Sequence, residues 1–180
     1  MTKRLFIAIE VPEEIKKELL KIQQQFYSSG AKLVKPEHMH LTMIFLGEVE
    51  KVWIKEISEI CQKVAINFQP FYIHLTGLGA FPKSHCPHTI WVGIEKSNQL
   101  ILLQKEISWE LIHKKFKIEE RPFAPHLTIA RLKKPINIQE YLEKNISIDL
   151  GSFQAKELVL FQSELFPEGP RHTAIKVFPI

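Results

Sequence analysis

One triplet recurs three times in this chain: His40-Leu41-Thr42, His74-Leu75-Thr76 and His126-Leu127-Thr128. Chance placement of the chain's histidines and threonines would give roughly 0.3 pairs two residues apart, so three is an excess. In an extended strand, residues two apart project from one face. His40 and Thr42 then share a face, with Leu41 and Met43 pointing into the core. His126 and Thr128 repeat the arrangement, with Leu127 and Ile129 behind them.

Such a unit suits phosphate chemistry. An imidazole gives or takes a proton near neutral pH, and a threonine hydroxyl donates to a non-bridging oxygen. Two units facing across a cleft place a base on one side of phosphorus and an acid on the other, which in-line displacement at a phosphodiester requires. Two threonines and a nearby cation can hold the phosphate charge without a metal or other cofactor. A strand histidine beside a threonine is common on a solvated sheet face, and one copy alone would mean little. Two copies 86 residues apart, each in an apolar frame, suggest that each half supplies one strand to a pseudo-symmetric site. The middle copy leads into Gly77 and Gly79, which suit a turn or bulge better than a rigid catalytic strand, so His74 is expected to be a decoy.

The elements that must position these groups alternate between strand and helix periods. Residues 5–9 form an apolar run of strand length. Pro12 marks a helix start, with Glu13 and Glu14 in the first turn. Ile15, Leu19, Ile22 and Phe26 follow at helical spacing, and Gly30 closes the segment. A second helix runs through Trp53, Ile57, Ile60 and Val64. A third runs through Leu100, Leu103, Ile107 and Leu111, with Ser97 as its N-cap. Strands are expected at 38–46, 71–78, 89–94, 126–132, 157–161 and 173–178, with a turn at Pro167, Gly169 and Pro170. Strands that do not strictly alternate with helices indicate an α+β fold with mainly antiparallel sheets.

The chain has 180 residues, 45% hydrophobic, 24% charged. That supports a core and excludes disorder. No apolar run reaches the roughly 18 residues needed to cross a bilayer, and the short run after Arg4 lacks the form of a secretion signal. A cytoplasmic location and no membrane partner are the expectation. Cys61 and Cys86 are too few and too far apart for a disulfide framework or a metal knuckle. A net charge of +4 favours an anionic partner. Monomer is the default oligomeric state.

These residues resemble the two-histidine (2H) phosphoesterase superfamily, and most closely its RNA 2′,3′-cyclic phosphodiesterase branch, also called the 2′-5′ RNA ligase family. The resemblance is carried by residues 4–9 through Pro12, by His40-Leu41-Thr42-Met43 with Phe45-Leu46-Gly47-Glu48-Val49, by Gly77-Leu78-Gly79-Ala80-Phe81-Pro82 and Trp91-Val92-Gly93, and by Phe123-Ala124-Pro125-His126-Leu127-Thr128-Ile129-Ala130-Arg131. It implies a single domain over residues 1–180, made of two intertwined lobes with pseudo-symmetric sheets, flanking helices and a central cleft. It also implies hydrolysis of an RNA-end or nucleoside 2′,3′-cyclic phosphate to the 2′-phosphate, and reversible 2′-5′ RNA ligation. Carried over, His126 is the proton acceptor and His40 the proton donor, while Thr42 and Thr128 hold phosphate oxygens. Arg131 is the charge partner, although in a regular strand its odd offset turns it away from Thr128. Where relatives often have tryptophan before the first motif and tyrosine after the last Gly-Pro, this chain has Leu33 and His172. The substitution at His172 bears on substrate binding.

Other residues admit two readings. Phe123 stacks a base or packs in the core. His38 lines the cleft or sits on the surface after Pro36-Glu37, the second being favoured. His85, Cys86 and His88 form a polar loop at the cleft rim, since no second Cys/His pair has zinc-ligand spacing. Alternatives to RNA-end hydrolysis are the same chemistry on another small cyclic phosphate, or a non-catalytic RNA-binding module.

Overall fold

The apolar run at 5–9 is the middle of β1 (Thr2–Glu10) in the computed structural model, which describes residues 1–119, 121–134 and 136–180. Both faces of that run are buried, which explains why it does not alternate. Pro12 caps α1 (Glu13–Gln23), whose first turn holds Glu13 and Glu14. A 3₁₀ stretch continues to Ser29, and the two-residue β2 (Lys32–Leu33) follows. A second 3₁₀ turn, Pro36–His38, delivers the chain into β3 (His40–Glu50), so the strand begins on the first motif's histidine.

After α2 (Ile54–Ala65), β4 (Phe71–Phe81) and β5 (Thr89–Ile94) form an antiparallel pair. The helix α3 (Asn98–His113) buries Leu100, Leu103, Ile107 and Leu111. Its N-cap is Ser97, whose hydroxyl accepts from the Leu100 N–H at 3.2 Å. Then come β6 (His126–Arg131), the short α4 (Gln139–Lys144), β7 (Asp149–Ala155), β8 (Glu157–Phe166) and β9 (Gly169–Pro179). β8 and β9 are longer than their apolar runs predict, because they close a hairpin with Pro167 and Glu168 at its tip.

Two antiparallel sheets result, in the orders β3-β1-β8-β9 and β2-β6-β5-β4-β7. The pair β1–β3 in one sheet corresponds to β5–β6 in the other. The chain leaves the first sheet after β3 and returns only at β8, so the lobes are intertwined. One hydrophobic core spans both sheets, containing Leu5, Leu41, Ile73 and Leu127 together with the buried helix faces. A second small cluster of Phe6, Ala8, Val159 and Phe161 lies on the opposite face of the first sheet. No helix among the described residues is long and apolar enough to cross a membrane.

Candidate active site

Both motif histidines open a strand, and both strands face one cleft. It has a volume of about 1280 Å³ and is lined by His40 and Thr42 from one sheet and by His126 and Thr128 from the other. Leu41 and Leu127 point the other way, into the core. The period-two argument therefore holds over both triplets.

Beyond the triplets it fails in the same way twice. Ala8 is the register partner of Thr42 and Ile7 that of Ile44, which leaves Met43 as an extra residue. Trp91 is the partner of Thr128 and Ile90 that of Ala130, which leaves Ile129 as the extra residue. Each is a β-bulge one position after the threonine. A bulge shifts alternation by one, so Met43–Ile44 and Ile129–Ala130 are buried in succession. The residue after each pair, Phe45 and Arg131, returns to the cleft. Arg131 thus lies on the cleft with Thr128, contrary to the orientation that a regular strand predicts.

The bulge in β6 is pinned from outside the sheet. Gln23 of α1 is 1% exposed. Its Nε2 donates to the carbonyls of Ile129 at 2.6 Å and Val34 at 2.7 Å. The Val34 N–H also donates to the Ile129 carbonyl at 2.9 Å. Both acceptor sites of the bulged carbonyl are therefore used.

The two histidines have different surroundings. His40 is stacked on Phe6, with ring centroids 4.8 Å apart, and lies 5.9 Å from Phe161. His172 stands edge-on to it at 5.3 Å, and His38 stands edge-on to His172 at 4.7 Å. Burial first, then the imidazoles of His172 and His38 and the Lys16 ammonium, push the His40 pKa down to about 3. Burial and His38 push His172 down to about 4. His38 is lowered too, by burial, although Glu37 opposes this and Lys35 adds to it. His38 is therefore a cleft residue, correcting the surface placement favoured by its sequence context. The Nδ1 atoms of His38 and His172 are buried and have no hydrogen-bond partner among the described residues.

His126 is held differently. Its Nδ1 lies 2.7 Å from the Ala124 carbonyl. A carbonyl can only accept, so Nδ1 carries the hydrogen, and in the neutral ring Nε2 is then the acceptor. Phe81 stands edge-on to the ring at 5.1 Å and Trp91 lies at 6.1 Å. Trp91 in turn needs Gly79, because a Cβ there would sit 2.1 Å from the indole ring.

Other predicted residues separate cleanly. His74 is absent from the cleft lining; its Nδ1 is hydrogen-bonded to Ser152 Oγ at 2.8 Å, and Nε2 lies 3.4 Å from Asp149. Gly77, with φ of 69°, sits at the register break that follows. Phe123 and His172 line the cleft, and Phe123 also packs against the core. His88 reaches the cleft rim while His85 does not. Among the described residues no group of three or more His, Cys, Asp or Glu is arranged to hold a metal ion. Phe6 and Lys32 also line the cleft, and sequence reasoning passed over both. For Phe6 a signal existed: a strand apolar at every position must bury both faces.

Comparison with known proteins agrees with this architecture. The LigT-like phosphoesterase family matches twice, over residues 9–91 and 92–172, one match for each cleft motif. An RNA 2′,3′-cyclic phosphodiesterase of Methanocaldococcus jannaschii is 42% identical over 96% of this chain and 98% of its own. One from Thermotoga maritima is 37% identical over 93% and 90%. A crystal structure from Thermus thermophilus has a TM-score of 0.86 at 27% identity, covering 98% of this chain and 97% of that one. Escherichia coli LigT complexed with 3′-AMP shares the fold, with a TM-score of 0.80 at 23% identity over 100% and 99%. With matches across nearly its whole length and a duplicated motif that meets in one cleft, this chain belongs to the LigT-like family of 2H phosphoesterases.

Proposed function

We infer that this chain is an RNA 2′,3′-cyclic phosphodiesterase, acting as one catalytic unit over residues 1–180. The observation that carries this reading is the presence of two His-x-Thr units from different sheets on one cleft, together with relatives of that name. Water attacks phosphorus from the His126 side, and Nε2 of His126 takes its proton. The P–O3′ bond breaks on the opposite side, and His40 protonates the departing oxygen, leaving a 2′-phosphate. Thr42 and Thr128 hold the non-bridging oxygens, and Arg131 offsets charge gathering on them. A ribose 5′-hydroxyl in place of water gives a 2′-5′ linkage by the same displacement.

The test is hydrolysis of an oligoribonucleotide ending in a 2′,3′-cyclic phosphate, in excess EDTA, with the product phosphate located by chromatography. Wild type should form the 2′-phosphate, and His40→Ala and His126→Ala should each be slower by about 10²–10⁴. Folded wild type that turns over only small cyclic phosphates would move the reading to that substrate class. Binding without turnover of either kind would leave an RNA-binding module.

A further inference from the structure

Among the described residues the cleft lining carries six Lys and Arg against Glu37, Glu119 and Glu168, a larger surplus of positive charge than one cyclic phosphate needs. A nucleoside 2′,3′-cyclic phosphate carries one negative charge, and every further nucleotide of a strand adds another. Lys35 and Arg121 at the cleft are partnered by Glu37 and Glu119. Among the described residues, Arg4, Lys32, Arg131 and Arg171 also line it and have no carboxylate at ion-pair distance.

Three of these cations form a path away from the catalytic threonine. Arg131 follows Thr128 across the bulge. Lys32 is the register partner of Arg131 on β2, and its Nζ reaches the β8–β9 hairpin, 3.5 Å from where a Cβ on Gly169 would stand. Opposite Gly169 in the hairpin is Phe166, with the Arg171 guanidinium 4.7 Å from its ring centroid. Phe166 is 38% exposed, lines the cleft and belongs to neither hydrophobic cluster. An aromatic ring presented at a basic groove is how single strands are bound without base reading, stacking a base while cations track the backbone.

We propose that Phe166 and Arg171 form a stacking subsite for the nucleotide next to the cyclic-phosphate end, with Lys32 holding the phosphodiester that joins the two. This rests on the phosphodiesterase reading and adds a seat for the part of the RNA strand that lies next to the cyclic end. The cyclic phosphate closes the 3′ end, so the strand continues only through the terminal 5′-oxygen, and one neighbouring base needs a seat.

The experiment compares kcat/KM for a nucleoside 2′,3′-cyclic phosphate with values for di- and tetranucleotides ending in the same cyclic nucleotide. Wild type should favour the strands. Phe166→Ala should cut the strand-to-mononucleotide ratio on the order of 10-fold, and Phe166→Trp should keep it. Lys32→Ala should flatten the log–log salt dependence for the strands by about 0.7. A wild type indifferent to chain length overturns the subsite, as do equal losses on both substrates in Phe166→Ala. Wild type that hydrolyses neither substrate overturns instead the phosphodiesterase reading beneath it.

Discussion

The ring of His172 stands edge-on to that of His40, with centroids 5.3 Å apart and planes at 81°. With His38 behind it, His172 resists protonation of His40, whose pKa falls to about 3 chiefly through burial. In the proposed mechanism His40 is the general acid, which must carry a proton at the moment of bond breaking. The anionic phosphate of the substrate supplies the bias toward the charged ring, because a negative charge within a few ångströms favours the imidazolium. The limb that His40 sets in kcat, which reports the complex, should therefore lie at higher pH than the limb it sets in kcat/KM, which reports the free enzyme. His172→Phe keeps the burial and removes one opposing imidazole, so it should move the kcat/KM limb upward. A limb that stays in place would show that His172 does not govern the acid.

The same cluster makes the fold acid-sensitive. His40 and His172 titrate in the folded chain at about 3 and about 4, below the ordinary 6.5. Between those values and 6.5 the unfolded chain binds more protons, so stability drops as pH falls through that window. Above 6.5 the two groups add no pH dependence. Urea midpoints from about pH 7 to about pH 4 should fall less steeply in His40→Phe, which keeps the stacked ring on Phe6. Parallel slopes in the two proteins would count against the cluster as the cause.

Gln23 is not in the cleft lining, but it holds the bulge that returns Arg131 to the cleft. Gln23→Leu deletes both donations, one to the buried Ile129 carbonyl and one to the part-buried Val34 carbonyl. We expect about 1–3 kcal/mol of lost stability and a lower kcat/KM, both restored on reversion. An unchanged urea midpoint would mean that β2 alone holds the bulge.

Gly79→Ala probes the other side of the site. The new methyl would meet the Trp91 ring at 2.1 Å, so the indole, whose centroid lies 6.1 Å from that of His126, must shift from its place over Gly79. Overpacking of this kind costs about 1–3 kcal/mol. The variant should lose stability and change its near-ultraviolet dichroism, with activity falling further than stability explains. An unaltered spectrum would contradict the close packing of Gly79 against Trp91.

Much of this site was legible from spacing, because two-residue periodicity holds from His40 to Thr42 and from His126 to Thr128. It stops being a guide where the bulges begin. Met43-Ile44 and Ile129-Ala130 look like ordinary apolar runs, and nothing in their composition tells which residue lacks a partner. β2 was invisible because two residues carry no period. β7 was missed because Gly151, Ser152 and Gln154 dilute its apolar positions. His38 was misjudged because its partner, His172, lies 134 positions away in the chain. Helices read better, since Ser97 and the buried stripe of α3 are local signals.

The order of strands in the first sheet also constrains how the chain is made. β1 needs β8 beside it, and their register pairs Arg4 with Ser163. At typical synthesis rates that partner emerges roughly ten to thirty seconds later. Until then Phe6 has no Phe161 against it and the seat of His40 is unfinished, although its own strand has long left the ribosome. A nascent chain that has completed both histidine motifs therefore still lacks the packed seat of His40 until the β8–β9 hairpin arrives.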